Sequence, residues 1–205
     1  MGLNLFPGPS CCVWEITRKC NFRCKHCGVT AGFARENELT RNEAQELCSE
    51  LNDIGCRGVA LLGGEIFLRP DWFEIAKKIR SYGMDLSIIS NGWLINHDAI
   101  SQIRSLDCKS FAISLDGRRH VHDKIRKKGS FDRCLKAIDL ALDNDIPTSV
   151  ITTLSKSNVK ELTGLRDILV EKDISWQIQV ATPHGSRMKQ NDMLSIEQYL
   201  DAASH

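Results

Sequence analysis

Apolar residues return along this chain in two alternating rhythms. From Cys12 to Thr17 apolar and polar positions alternate, the period of a half-buried strand. Thr40-Arg41-Asn42-Glu43 then has the form of a capping box. Ala44, Leu47, Cys48, Leu51 and Ile54 follow it at helical spacing, with Gly55 placed to stop the helix. Gly58 to Leu62 is a short apolar run, read as a buried strand. Asp71-Trp72-Phe73-Glu74 predicts a second capping box, Trp72, Ile75, Ala76 and Ile79 make its apolar stripe, and Gly83 ends it. Asp85 to Ser90 is a third strand. A helix from about His97 carries Ile100, Ile103 and Leu106, and Ser110 to Leu115 is a fourth strand. Ser130 is expected to cap a helix with Phe131, Cys134, Leu135, Ile138 and Leu142 on one face. Pro147 to Leu154 is a β-branched fifth strand. Val159, Leu162, Leu165, Ile168 and Leu169 mark another helix, and Trp176 to Ala181 a sixth strand. A last helix starts at Ser195, with Gln198 completing a capping box and Leu194 and Tyr199 placed as a staple.

Strands that alternate with helices predict a parallel α/β sheet, because each helix is a crossover, and crossovers of this kind are right-handed. Periodicity leaves open whether the sheet is flat or curled into a partial barrel. In either form ligands bind beyond the C-terminal ends of the strands. The polar and glycine-rich segments fall there. A cysteine-rich stretch follows strand one, Gly63-Gly64-Glu65 strand two, Ser90-Asn91-Gly92 strand three, and Asp116-Gly117 strand four.

Composition narrows the class. The chain has 205 residues, which at about 150 residues per domain is one domain or little more. Lys and Arg total 27 against 26 Asp and Glu, a net charge of +1, which argues against wholesale binding to nucleic acid or anionic membrane. No apolar run approaches the ~20 residues needed to span a bilayer, and the N-terminus has no signal-peptide pattern. A soluble, cytoplasmic protein is expected. Nine cysteines in such a chain do not suggest a disulfide framework. Six of them (Cys11, Cys12, Cys48, Cys56, Cys108, Cys134) are scattered, and Cys48 and Cys134 fall on apolar helix positions, where free cysteine behaves as a small hydrophobe.

The other three are Cys20, Cys24 and Cys27, in the spacing C-x3-C-x2-C. Four readings compete for them. A structural zinc site is closed by four ligands, and His26 lies awkwardly close to Cys27 to be the fourth. Buried structural thiols fit poorly with the polar neighbours Asn21, Arg23 and Lys25. A redox disulfide would use Cys24 and Cys27 and leave Cys20 unexplained. A [4Fe–4S] cluster with three protein thiolates would leave one iron open to a small molecule.

The loop resembles the C-x3-C-x-φ-C signature of the radical S-adenosylmethionine (radical SAM) superfamily, with His26 in the φ position where that family often has an aromatic ring. The resemblance runs over nearly the whole chain and implies a partial (β/α)6 TIM-like barrel. It implies a cluster held by Cys20, Cys24 and Cys27, whose open iron is chelated by S-adenosyl-L-methionine (SAM). One electron, from a donor such as flavodoxin or ferredoxin, then leads to a 5′-deoxyadenosyl radical that removes hydrogen from a substrate. Gly63-Gly64-Glu65 resembles the family's GGE motif, whose backbone and carboxylate hold the SAM ammonium; Ile66 stands where the family commonly has proline. Ser90 and Asn91 are expected near the SAM ribose. Ser114-Leu115-Asp116-Gly117, Asp123, Arg126 and Gly129-Ser130-Phe131-Asp132 resemble a run shared by the sulfatase and ribosomal-peptide maturases, which implies SAM contacts for Ser114 and Arg126. The segment from Trp176 to Gly185 corresponds to a region that packs against adenine in relatives. The substrate implied is a peptide or protein side chain; the alternatives are a small-molecule or cofactor-biosynthesis substrate, or a non-catalytic metal or iron–sulfur module.

Two expectations concern organisation. Residues 1–205 form one core domain with residues 1–11 as an N-terminal extension. A cysteine-rich auxiliary (SPASM) region is missing beyond it, as in a truncated chain, with too few residues after strand six to close the barrel mouth. Arg118, Arg119, Lys124, Lys127 and Lys128 read as a solvated face, or as a face for an acidic substrate or leader peptide. His120 and His122 read as ordinary residues of a charged loop rather than a second metal pair.

Overall fold

The computed structural model describes residues 8–185 and 187–204. Six parallel strands form one sheet in strictly sequential order: β1 (Cys12–Thr17), β2 (Gly58–Gly63), β3 (Asp85–Ser90), β4 (Ser110–Ser114), β5 (Thr148–Leu154) and β6 (Ser175–Val180). Between and after them run α1 (Arg41–Asp53), α2 (Trp72–Ser81), α3 (His97–Ser105), α4 (Arg119–Ile125), α5 (Ser130–Leu142), α6 (Leu162–Leu169) and α7 (Ile196–Ala203). Sequential order settles the question that periodicity leaves open. A doubly wound sheet reverses direction at a switch point, whereas crossovers that always step the same way, with one hand, place every helix on the same face. With its helices on one side and its natural twist, the sheet curls into a partial barrel, and β1 and β6 remain edges.

Strand alternation divides the sheet into two faces. Val59, Leu61, Leu86, Ile88, Phe111, Ile113 and Val150 point to the helices and are sealed from solvent. They pack with Cys48, Ile75, Ile79, Ile100, Ile103, Cys134 and Ile138 into one core. The opposite face carries Val13, Ala60, Leu62, Ile89, Ile151 and Thr153, and these line a cavity of about 730 Å³ at the C-terminal ends of the strands.

The helix starts show where local sequence rules hold and where they give way. Thr40 and Ser195 form the reciprocal capping boxes expected of them. Asp71 does not cap α2; its carboxylate is engaged by the buried Arg69 at 2.9 and 3.0 Å. Arg69 also donates to the carbonyls of Ile16 and Leu39, so the Asp71 carboxylate pairs with a fixed guanidinium instead of with the α2 amides. Ser130 does not cap α5 either. Gly129, in the left-handed region at φ +79, is the capping position, and Asp123 accepts the N–H groups of Gly129 and Phe131 at 2.6 and 2.9 Å. The helix α4, which apolar periodicity does not reveal, lies between β4 and α5. Its seven residues bury only His122 and Ile125.

Candidate functional site

The cysteine loop leaves β1 through an irregularity. Glu15 pairs with Leu62 and Thr17 with Gly63, so one extra residue, Ile16, is accommodated in β1, a bulge that bends the strand just before the loop. Glu38 then fixes the turn by accepting from the Thr17 hydroxyl and from the Arg18 and Arg35 amides. Gly63 and Gly64 hold the loop from the other side. A Cβ on Gly63 would stand 2.3 Å from the Thr17 carbonyl oxygen, and one on Gly64 2.2 Å from that of Lys19. The close approach lets the Gly64 and Glu65 amides donate to Thr17 and Lys19 at 2.7 and 2.8 Å. The glycine pair is thus required by the backbone that presents the cysteines, and both glycines also line the cavity.

Cys20, Cys24 and Cys27 all line that cavity, together with His26, Asn91, Ser114 and Arg126. The Phe22 amide donates to Cys20 Sγ at 3.3 Å and the Ala31 amide to Cys27 Sγ at 3.2 Å, contacts that favour thiolate sulfur. Burial pushes the Cys20 thiol up to about 11 and also raises Cys24, where Arg126 is the main opposing influence. A thiolate at either position therefore calls for a cationic partner. Among the described residues no group of three or more His, Cys, Asp or Glu is gathered to hold a single metal ion. A cubane cluster does not ask for that, since each thiolate binds a different iron. The donor set fits such a cluster: three thiols of one loop surround one cavity whose described lining includes no acidic residue and no fourth cysteine. Buried polar atoms without partners collect here too: Arg18 Nε, Asn21 Nδ2, His26 Nδ1 and Arg187 Nη1. All four belong to the loop or to the segment lying over it.

Arg126 is not a free guanidinium in this state. Asp116, wholly buried, accepts from Arg126 Nε at 2.5 Å and from the Thr153 amide at 2.9 Å, with His26 Nε2 at 3.4 Å. Burial alone would raise the Asp116 carboxyl, but Arg126 and His26 together hold it below its ordinary value. Burial lowers Arg126, and Asp116 more than reverses this, so the arginine stays charged. Burial drives His26 down to about 4, so its ring is neutral near pH 7. Glu65 is also held by its neighbours. It is buried, accepts from Ser90 Oγ and from the Asn91 amide, both at 2.8 Å, and is raised to about 7 by burial. Asn91 in turn donates to Asn21 Oδ1 at 2.8 Å, which ties the end of β3 to the cysteine loop.

Two features escape the sequence reading. His122 is buried, not part of a solvated loop: its Nδ1 accepts the Asp116 amide at 3.1 Å, and burial lowers it to about 4. The Ser-Leu-Asp-Gly run was the available signal, because a buried Asp needs its backbone held as well as its side chain. The segment after β6 also reaches the end of the cysteine loop. A Cβ on Gly185 would meet the Gly28 carbonyl oxygen at 2.5 Å, and Arg187 donates to the Ala31 carbonyl at 2.5 Å.

A parallel partial barrel with a three-cysteine loop beyond β1 and a glycine pair at the end of β2 defines a class of protein built to hold a metal cluster and a small ligand at the barrel mouth. Residues 14–169 match the Radical SAM superfamily, and the chain belongs to that family. It is 33% identical over 191 residues to the Fe-coproporphyrin III synthase of Methanosarcina barkeri, covering 91% of this chain and 48% of that protein. It is 30% identical over 156 residues to the mycofactocin maturase MftC of Mycobacterium ulcerans, covering 75% of this chain and 42% of that protein. The chain thus spans about half the length of the curated relatives it matches. Streptococcus suis SuiB bound to S-adenosylmethionine superposes with a TM-score of 0.85 at 16% identity, over 98% of this chain and 47% of SuiB, a likeness of fold. No helix among the described residues is long and apolar enough to cross a membrane.

Proposed function

We propose that this chain is the SAM-cleaving core of a radical SAM enzyme acting on a peptide or protein side chain. The observation that carries the reading is the joint placement of Cys20, Cys24, Cys27, Gly63, Gly64, Ser114 and Arg126 around one cavity. Cys20, Cys24 and Cys27 hold the cluster, and the Phe22 and Ala31 amides stabilise the charge on two of the sulfurs. When bound, the cluster and SAM supply a carbon-centred radical able to remove a hydrogen atom. Arg126, fixed by Asp116, receives the SAM carboxylate; a guanidinium gives that group a planar fork. Ser114 and Asn91 offer polar contacts on the same wall. Glu65 contributes by fixing the Ser90–Asn91 turn and, as a buried carboxyl, by favouring a cation next to it. The apolar residues Leu62 and Ile89 line the same cavity. The side-chain substrate is supported by the Ser114–Asp132 run and by the maturase relative.

A second reading, a tetrapyrrole substrate, is supported by the Fe-coproporphyrin III synthase relative. Anaerobic reconstitution with iron and sulfide counting, followed by 5′-deoxyadenosine release under dithionite, tests the core. The wild-type chain is expected to take up iron and release 5′-deoxyadenosine, and Cys24→Ala to do neither. Full iron and SAM cleavage in Cys24→Ala would refute the cluster assignment. Stimulation by a candidate peptide supports the first reading, and stimulation by a tetrapyrrole precursor of Fe-coproporphyrin III the second.

A further inference from the structure

Between positions 118 and 136 the chain carries eight Lys and Arg against two Asp, in a protein of net charge +1, so the remainder of the molecule is net acidic. Three of the eight are engaged by carboxylates: Arg126 by Asp116, Arg118 by Glu161 and Arg119 by Asp132. Asp123 is occupied by backbone amides. Lys124, Lys127, Lys128, Arg133 and Lys136 have no acidic partner among the described residues. Elsewhere several cations are paired, as in Arg80 with Asp107, Lys109 with Asp85 and Lys172 with Asp139.

This face abuts the cysteine loop. The Lys25 amide donates to the Ile125 carbonyl at 3.1 Å, which joins the loop to the end of α4. Lys127 Nζ stands 4.0 Å from the Trp93 ring centre and 5.4 Å from that of Phe22, and the Arg133 guanidinium stands 5.3 Å from Trp93. Phe22 and Trp93 meet edge to face at 5.6 Å. Phe22 lies between Cys20 and Cys24 in sequence, and its amide donates to Cys20 Sγ. Arg23 and Lys25, both exposed, continue the positive face on the loop itself.

We propose that this face docks an acidic one-electron carrier protein bearing a flavin or an iron–sulfur group. The inference rests on the proposed function, whose chemistry requires one electron from outside the chain. Electron transfer falls steeply with distance, so the donor must meet the molecule next to the cysteine loop. A one-signed face accelerates and orients the encounter of two proteins, and the exposed Lys124, Lys128 and Lys136 are without acidic partners among the described residues. The packed Phe22–Trp93 pair fills the space between Lys127 and Cys20. In the transfer the carrier is oxidised by one electron and the cluster reduced by one; no bond in either protein forms or breaks, and no proton moves.

The test uses the full chain and a flavodoxin, an acidic flavin protein, with an acidic ferredoxin as second probe. Binding is measured by calorimetry at low and high ionic strength, without the cluster and again after reconstitution. Wild type is expected to bind at least one of the two carriers at low ionic strength and to release it as salt rises. The Lys124→Glu/Lys128→Glu double variant, both positions exposed, is expected to bind about tenfold more weakly or worse, with a flatter salt dependence. Lys77→Glu on α2 serves as a control and is expected to bind like wild type. SAM cleavage driven by titanium(III) citrate should be equal in all three proteins. Failure of wild type to bind either carrier, or unchanged binding in the double variant, overturns the docking face. Equal, salt-sensitive capture of a polyglutamate peptide overturns it as well, by showing generic attraction. Absence of iron uptake or of titanium-driven cleavage in wild type is a separate result, and counts against the proposed function instead.

Discussion

The two faces of the sheet are made by the same six strands, yet they are built to different ends. On the helix side, Leu61, Ile88, Phe111, Ile113 and Val150 are large and sealed from solvent. On the barrel side the apolar Val13, Leu62, Ile89 and Ile151 are interspersed with small or polar residues: Ala60, Ser87, Ser114, Ser149 and Thr153. Large side chains fill the space between sheet and helices. Small ones leave the barrel mouth unfilled, and the polar loops after the strands close around what remains. Stability is concentrated on the first face, and ligand capacity on the second.

The largest effect is expected from breaking the helix side. Phe111→Ala should lower stability by ~3–5 kcal/mol, through lost burial and the cavity left behind. Denaturant unfolding measures it, and a loss below ~1 kcal/mol would show that the core is not centred there. Ala60→Phe is the converse substitution. It fills the cavity from the barrel side, so SAM binding to reconstituted protein should be lost, with a far smaller change in unfolding midpoint than Phe111→Ala. Unaltered SAM titration in Ala60→Phe would mean that the cavity is not the ligand site.

The Asp116–Arg126 pair separates positioning from charge. Asp116→Asn keeps the shape but removes the carboxylate that fixes the guanidinium, so SAM affinity should fall about ten- to a hundredfold, as expected for loss of charge-assisted contacts worth ~1.5–3 kcal/mol. Arg126→Lys should lose affinity as well, because an ammonium lacks the planar fork. Iron content should not change in either variant, and SAM titration against iron analysis distinguishes the two effects.

The smallest effect is in pH dependence. His122 must be neutral to accept the Asp116 amide, and its folded-state pKa of about 4 lies below the ordinary 6.5. The unfolded chain binds the proton first, so stability falls as pH drops from about 6.5 towards about 4. Glu65 acts with the opposite sign. Raised to about 7, its contribution is present at low pH and is lost as pH rises from about 4.5 towards about 7. Unfolding midpoints of Glu65→Gln should therefore decline more steeply with acid than those of wild type, and those of His122→Phe less steeply. Superimposable profiles for all three proteins would show that neither buried group titrates with folding.

The order of strands and helices and both true capping boxes are legible in sequence, because they depend on residues a few positions apart. So is the cysteine loop, since C-x3-C-x2-C is itself a local spacing. The failures share a cause. Asp71 and Ser130 look like caps, but Asp71 is taken by Arg69, which the fold pins to the Ile16 and Leu39 carbonyls, and the start of α5 is held by Asp123. The helix α4 has too few apolar positions to register a period, and its His122 is buried by α5 and β4.

The sequence by itself determined the alternation of elements, the parallel sheet and the three thiols, all of which follow from local periodicity and local chemistry. The tertiary structure decided which face of the sheet would be a core and which a cavity, because that depends on all helices lying on one side. It also decided that Gly63 and Gly64 serve the Thr17–Lys19 backbone, that Glu65 turns to Ser90 and Asn91, and that Arg126 answers to Asp116. These contacts join residues far apart in the chain, and no local pattern encodes the distance at which two strands place their ends.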